Sequence, residues 1–376
     1  MLPRSTTDAE RSIRGTPVTG WFGRRHFSGV ALLTAALVAV VGAGCHSEPE
    51  MIPLIDQKIA FTDRFYGVYA MTADRALVVG HGGKILETDD GGASWKRVPS
   101  GTGYQALYDI TFGDRDHGWI VGQDGLILHT ADGGKSWERQ KSGTDRYLFR
   151  VTALDRDRAW AVGDRSVFAA TTDGGRTWSA RKLETGDDVG GGLAIATADP
   201  VFYDVWFANP TTGWISGEFG KLLHTTDGGT TWKEQHKVLM GDEFFDVLDL
   251  PTLFGMHFVN DREGVAVGID ARIARTWNGG ETWAWEKVES PYPLLDPFFA
   301  AYMFPDGSGW AIGGAGQVVR LKAGEDTWQL ADLGQPIFTW LEAISFFGGN
   351  HGWLVGGYGT ILRTTDGGKT WFPCFG

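Results

Sequence analysis

Cysteine is nearly absent from this chain: 376 residues hold two, Cys45 and Cys374. A disulfide framework is therefore a poor basis for the fold, and if Cys45 carries lipid, Cys374 has no partner within the chain. Clustered lysine and arginine are missing as well. The formal net charge is −12 at pH 7, and no basic stripe follows residue 30. Nucleic-acid binding needs such clusters to displace counterions, so a nucleic-acid partner is not expected. The nine histidines show no paired ligand spacing, and two of them, His117 and His351, fall at equivalent repeat positions ("DHGW", "NHGW"). No glycine-rich loop opens a helix to cradle phosphate. The sequence thus predicts neither a metal nor a cofactor. Long apolar runs are few, while 55 glycines, 17 tryptophans and 22 phenylalanines are present. Aromatic residues favour strands and glycine permits tight turns, which suits an all-β protein with many short strands.

The first 45 residues read as an export signal, and 46–58 as a linker. Arg24 and Arg25 precede an apolar stretch from Val30 to Val41, short for a bilayer-spanning helix. The string Arg24-Arg25-His26-Phe27 resembles a twin-arginine export motif. Gly42, Ala43 and Gly44 then lead to Cys45 in a pattern that resembles a bacterial lipoprotein cleavage site, with Gly42 where leucine is usual. The expectation is a periplasmic protein anchored to a membrane through lipidated Cys45. A plain signal peptide cut near the same place is the alternative.

The remaining chain is repetitive. "TTDGGKTW" (Thr364 to Trp371) recurs as "TDDGGASW", "TADGGKSW", "TTDGGRTW" and "TTDGGTTW", with "TWNGGETW" and "LKAGEDTW" as diverged copies. The closing tryptophans are separated by 42, 41, 54, 51, 45 and 43 residues, close to the period of a four-stranded propeller blade. A unit such as that from Leu107 parses into four strands: Tyr108 to Phe112, Gly118 to Val121, Leu126 to Thr130 and Trp137 to Gln140. Second strands such as "ALVVG", "AWAVG" and "GWLVG" are apolar runs bounded by glycine, as expected of strands covered on both faces. Such a sheet cannot cover itself, whereas seven stacked around an axis can. A seven-bladed, all-β propeller over 59–376 is predicted.

The repeated string falls at each hairpin between the third and fourth strands. There a carboxylate can accept hydrogen bonds from the turn, and paired glycines supply the backbone angles. Asp90, Asp132, Asp173, Asp227, Asn278 and Asp366 are therefore assigned a structural role. These residues resemble the Asp-box, or BNR, repeat of sialidases, sortilin-like receptors and other propellers, in which the box lies away from the active site. That resemblance raises a sialidase-like or other glycoside hydrolase as the alternative reading. The sialidase string Phe/Tyr-Arg-Ile-Pro is absent, and the nearest text, "KRVPSG" around Arg97, follows an Asp-box tryptophan. No catalytic residue is assigned.

Binding residues are sought where the first strand of each blade begins. One position there reads Tyr66, Tyr108, Phe149, Tyr203, Phe254, Phe299 and Glu342, and the next reads Gly67, Asp109, Arg150, Asp204, Gly255, Ala300 and Ala343. Side chains alternate along a strand, so the aromatic set is expected to pack between blades. Asp109, Arg150 and Asp204, on consecutive blades, are expected to cluster at the mouth of the central channel, as a binding group or as a mutual salt bridge. The connections after blades 3, 4 and 5 are long, and "KVLMGDEFFDVLDLPT" mixes carboxylates with apolar residues. Asp242, Glu243, Phe244 and Phe245 are candidate binding residues on that ground, since long loops on a rigid scaffold commonly carry binding.

Repeats of the form "hGWxVGxxGxILxTxDGGxTW", best seen at Gly118–Trp137 and Gly352–Trp371, are similar to those of the photosystem II stability/assembly factor family. The resemblance implies an exported or lumenal, non-enzymatic propeller that binds a membrane protein and helps assemble its complex. Photosynthetic members carry an arginine-rich contact patch. Here blade 3 offers Arg146, Arg150, Arg156, Arg158 and Arg165, beside acidic insertions.

Overall fold

Seven sheets follow one another along the chain, each holding its four principal strands, here A to D, in sequence order. The computed structural model describes residues 59–184, 199–235 and 251–374. Blade 2 is representative, with strands Leu107–Phe112, Gly118–Gly122, Ile127–Thr130 and Glu138–Gln140. Strand B is buried from end to end in blades 1 to 6, for instance Ala76–Gly80 and Gly213–Gly217. Covered on both faces, these segments are nearly continuous apolar runs instead of alternating with polar residues, Ser216 being an exception.

The core lies between blades. Leu77, Val79 and Ile85 of blade 1 pack with Leu107, Phe112, Ile120 and Trp137 of blade 2. The same arrangement closes the ring, where Phe65, Val78 and Trp95 of blade 1 meet Trp353, Val355 and Cys374 of blade 7. Burying a large apolar side chain stabilises by roughly 1.5–3 kcal/mol, and Trp95, Trp119, Trp214, Trp328 and Trp353 are all fully buried. Among the described residues no strand is exchanged at closure: Phe372–Pro373 completes the last sheet and Phe65–Ala70 begins the first. Arg363 bridges the two blades by donating to the carbonyls of Gly91 (2.9 Å) and Ala73 (3.0 Å) and to Asp74 (2.6 Å).

The Asp-box turns have one geometry. In the last copy the Thr364 hydroxyl donates to Asp366 Oδ1 at 2.8 Å, and the Thr370 amide donates to the same oxygen at 2.9 Å. The Thr370 hydroxyl donates to Asp366 Oδ2 at 2.7 Å, and the Gly368 amide donates to Thr364 Oγ1 at 2.9 Å. Asn278 keeps the first two contacts, but its amide nitrogen donates to Thr282 where an aspartate would accept. The box also joins blades. Gln140 donates to the carbonyl of Gly174 in the following blade, and Trp214 to that of Gly279. The second glycine sits at positive φ, as at Gly134 (+89°), where a Cβ would lie 2.7 Å from Leu77 of the preceding blade. Backbone angle and blade packing both require glycine there.

Two features depart from the sequence reading. The connection after blade 5, read as a loop, contains a strand at Lys287–Glu289 that pairs parallel with strand D of blade 6 and makes that sheet five-stranded. Blade 6 is the blade with the eroded box, and the added strand covers its outer edge. The second departure is a β-bulge in strand A of every blade, between its first and third residues, as at Phe65/Gly67 and Leu341/Ala343. A bulge leaves one residue outside the ladder and re-aims its side chain.

Candidate functional site

The bulge places the second residue of each strand A against the central channel. Tyr66, Tyr108, Phe149, Tyr203, Phe254 and Phe299, with Trp340, wall a cavity of ≈ 410 Å³, and Arg150 and Glu342 are its charged members. Neighbouring rings do touch across the blades, with centroids 5.6 Å apart for Tyr66–Tyr108, 5.3 Å for Tyr108–Phe149 and 4.9 Å for Tyr203–Phe254. Trp340 stacks on Tyr66 at 5.7 Å. The expected packing between blades is therefore present, but the rings are half-buried and also form a wall, which strict alternation along the strand did not predict. The cavity opens on the face where strands A begin, here the entry face. The Asp boxes lie at the opposite ends of the sheets, on the exit face.

Below the rings the channel is closed by charge. Arg150 lies 3.6 Å from Asp109 Oδ1 and 3.3 Å from Asp204 Oδ1. Both aspartates are buried, at 7% and 6% exposure. Each also accepts a backbone N–H from the next blade, from Val151 at 3.0 Å and from Met256 at 2.6 Å. Strand A forms the inner edge of its sheet, and its free amides need such partners. Ser345 and His257 serve the same purpose for Ala70 and Met303. Burial pushes the Asp204 carboxyl up to about 6 and Glu342 up to about 7, with Arg150 opposing the rise in both. Asp109 is raised for the same reason. Burial works against the Arg150 charge, but Asp204 and Asp109 outweigh it and raise its pKa. One guanidinium faces three carboxyls, so the net charge of the group depends on how many of them are ionised.

Beyond this plug is a second cavity of ≈ 420 Å³, lined by the fifth residues of the same strands, among them Tyr69, Thr111, Trp206, His257 and Tyr302. The sequence reading missed that column, although aligning strands A two positions further would have exposed it. Burial lowers His257 to about 4, so the ring is neutral and its Nδ1 accepts from Met303.

The entry face is unevenly apolar. Of twelve exposed large hydrophobic residues among those described, eight lie in its loops and turns: Phe61, Tyr104, Tyr147, Ile269, Tyr292, Leu295, Phe338 and Tyr358. Tyr104 is 92% and Phe338 84% exposed. Tyr358 holds φ = +52°, a conformation a bulky residue adopts at a cost, and stacks on Phe61 at 4.7 Å. Singly scattered exposed hydrophobics are ordinary, and here most of those described gather on one face.

Asp109, Arg150 and Asp204 are thus brought together, as a salt-bridged plug. Asp242, Glu243, Phe244, Phe245 and Cys45 lie outside the described residues. The blade 3 arginines do not make one patch. Arg156 and Arg158 sit on the exit face beside Asp157 and Asp155, Arg146 and Arg165 near the entry face beside Asp145 and Asp164, and Arg150 in the channel. Among the described residues no cluster of His, Cys, Asp and Glu could hold a metal ion.

Residues 50–144 and 102–187 match the family described as Photosynthesis system II assembly factor YCF48. No curated protein matches the sequence. Among solved structures, one described as YCF48 bound to D1 peptide is 21% identical, with a TM-score of 0.62, and the match covers 81% of this chain and 94% of that one. YCF48 from Cyanidioschyzon merolae is equally similar, over 81% and 95% of the two chains at a TM-score of 0.62. A GH74 xyloglucanase from Xanthomonas campestris is 13% identical with a TM-score of 0.63, covering 84% of this chain and 55% of its own. At these identities the structural likeness speaks for the fold, and the family match speaks for the repeat. By fold the chain is a seven-bladed Asp-box propeller, and residues 50–187 carry repeats similar to those of the YCF48 family.

Proposed function

We propose that this propeller is a non-enzymatic, exported binding protein that holds a segment of a membrane protein on its entry face and helps assemble or stabilise its complex. The observation that carries the reading is the concentration of exposed aromatic and aliphatic side chains around the aromatic-walled cavity on that face. The similar structure described as YCF48 bound to D1 peptide supports peptide binding by a propeller of this repeat type. The hydrolase alternative needs a carboxylate pair free to act on substrate. Asp109 and Asp204 are instead tied to Arg150 and to backbone amides. Membrane attachment through a lipid on Cys45 belongs to the same proposal, and radiolabelled palmitate incorporation that disappears in Cys45→Ala is its expected signature.

Photocrosslinking locates the binding face. A benzoylphenylalanine placed at Tyr104 or Phe338 should crosslink to a membrane protein in the native envelope, whereas the same probe at Trp277 or Phe372, away from the entry face, should not. Crosslinks of equal yield from both sets would remove the entry face as the binding surface. A Phe244→Ala/Phe245→Ala double variant should recover less of the crosslinked partner.

A further inference from the structure

The entry-face cavity combines three features that are rarely found together. Its wall is almost entirely aromatic, built from six bulge-directed rings and Trp340. It contains a carboxylate, Glu342, at the one strand A position where the other six blades carry an aromatic residue. Its floor is the Arg150 guanidinium, whose charge is matched from beneath by Asp109 and Asp204, which line the cavity on the far side of the plug. Ring faces carry the negative end of the aromatic quadrupole and attract cations. The wall and the Glu342 carboxylate therefore favour the same sign of ligand.

We infer that this cavity is an aromatic cage for an alkylammonium group, with Glu342 as its counter-ion. In naming what the centre of the proposed binding face recognises, the inference rests on that reading for its biological setting. An anion would find one guanidinium that is already paired with Asp109 and Asp204. A neutral apolar ligand would fill the wall and leave the Glu342 carboxyl protonated, its pKa being pushed up to about 7 by burial, whereas an ammonium would pair with its ionised form. The wall also offers few acceptors for a guanidinium fork, because Glu342 is the one carboxylate among its lining residues. Ring surface plus a single carboxylate suits a compact ammonium whose shell is carbon. At ≈ 410 Å³ the cavity lies within the size range of small-ligand sites. The ammonium could belong to a free quaternary amine or to a lysine side chain of a bound segment, and the two share this chemistry.

Isothermal titration of the purified full chain tests it with three probes: choline, its neutral carbon analogue 3,3-dimethyl-1-butanol, and an acetylated, amidated pentapeptide with one central lysine. Choline or the lysine peptide should bind at least tenfold more tightly than the neutral analogue. Choline alone would identify a small-molecule site, and a stronger peptide response would identify a basic side chain. Binding of the neutral analogue as tight as that of both cations, or no binding by either cation, would overturn the inference. Glu342→Gln should weaken the cation at least tenfold while leaving the neutral analogue unchanged, and an unaltered cation affinity in a folded variant would also overturn it. The neutral-analogue comparison needs no variant, so it stands if Glu342→Gln fails to fold. Entry-face crosslinking with a negative cation titration would sink the cage and leave the partner surface standing.

Discussion

Arg150 holds together two aspartates that lie on the blades either side of it, and among the described residues no second cation pairs with them. Removing one partner from a buried ion group strands the other charges, which typically costs about 3–5 kcal/mol. Arg150→Met should therefore lower the denaturation midpoint by a corresponding amount in urea titrations at pH 7. Acidification should recover part of that loss by protonating the aspartates. The ionised groups also set a two-limbed pH profile. Asp204 and Glu342 titrate near 6 and 7, above their ordinary values of 3.8 and 4.5, because burial disfavours their charge. Between pH 4 and 7 the folded chain binds more protons than the unfolded one, so stability falls as pH rises through that window. The Asp-box carboxylates have the opposite sign. Hydrogen bonds from Ser94 and Thr231 hold Asp90 and Asp227 at about 2. At Asp132 and Asp366 burial pulls upward, but hydrogen bonds from Ser136 and Thr370 outweigh it and leave both at about 2. Their stabilisation is present above pH 4 and is lost as pH falls towards 2. Urea midpoints measured from pH 2 to 8 should peak near pH 4, and a midpoint rising steadily to pH 8 would contradict the raised carboxylates.

At the scale of the element, the Asp-box hairpin and the bulged strand A set the geometry. Asp366 accepts from one amide and two hydroxyls, and loss of such a cap costs about 1 kcal/mol. Asp366→Ala should show that loss in thermal or urea unfolding. Asp366→Asn should cost less, because Asn278 already holds the same turn in blade 5. Gly134→Ala should cost more than Asp366→Ala, since it meets an unfavourable φ and the side chain of Leu77 together. The strand pattern within a blade was legible: in blade 2 the expected boundaries fall within one residue of those observed at Leu107–Phe112 and Gly118–Gly122. The bulge was not. It changes no residue type, only which way Tyr66 and its equivalents point. Likewise nothing in "KVES" announces that Lys287–Glu289 will pair with another blade's strand D.

For the whole molecule, closure is the vulnerable step, because the first and last blades meet without sharing a strand. Arg363 spans that seam with three hydrogen bonds and lies over the Trp353 ring at 5.5 Å. Arg363→Met should increase amide hydrogen exchange in the strands of blades 1 and 7 before those of blades 3 and 4. Uniform exchange across all blades would mean that the ring opens elsewhere.

The sequence by itself determined the number of blades and the position of each turn, because the Asp box and the glycine-bounded strand B are local signals repeated at a near-constant period. It also brought Asp109, Arg150 and Asp204 to attention, since equivalent positions on neighbouring blades must lie side by side around an axis. Only the tertiary structure decided what those positions do. The ring shape turns a column of single residues into a closed aromatic wall, and a bulge of one residue per blade aims that wall into the channel. The distribution of Tyr104, Phe338 and their neighbours onto one face depends on the alternating direction of strands in every sheet. Contacts made between chain segments forty or more residues apart leave no mark on any one of them, which is why the cavity had to be seen in three dimensions.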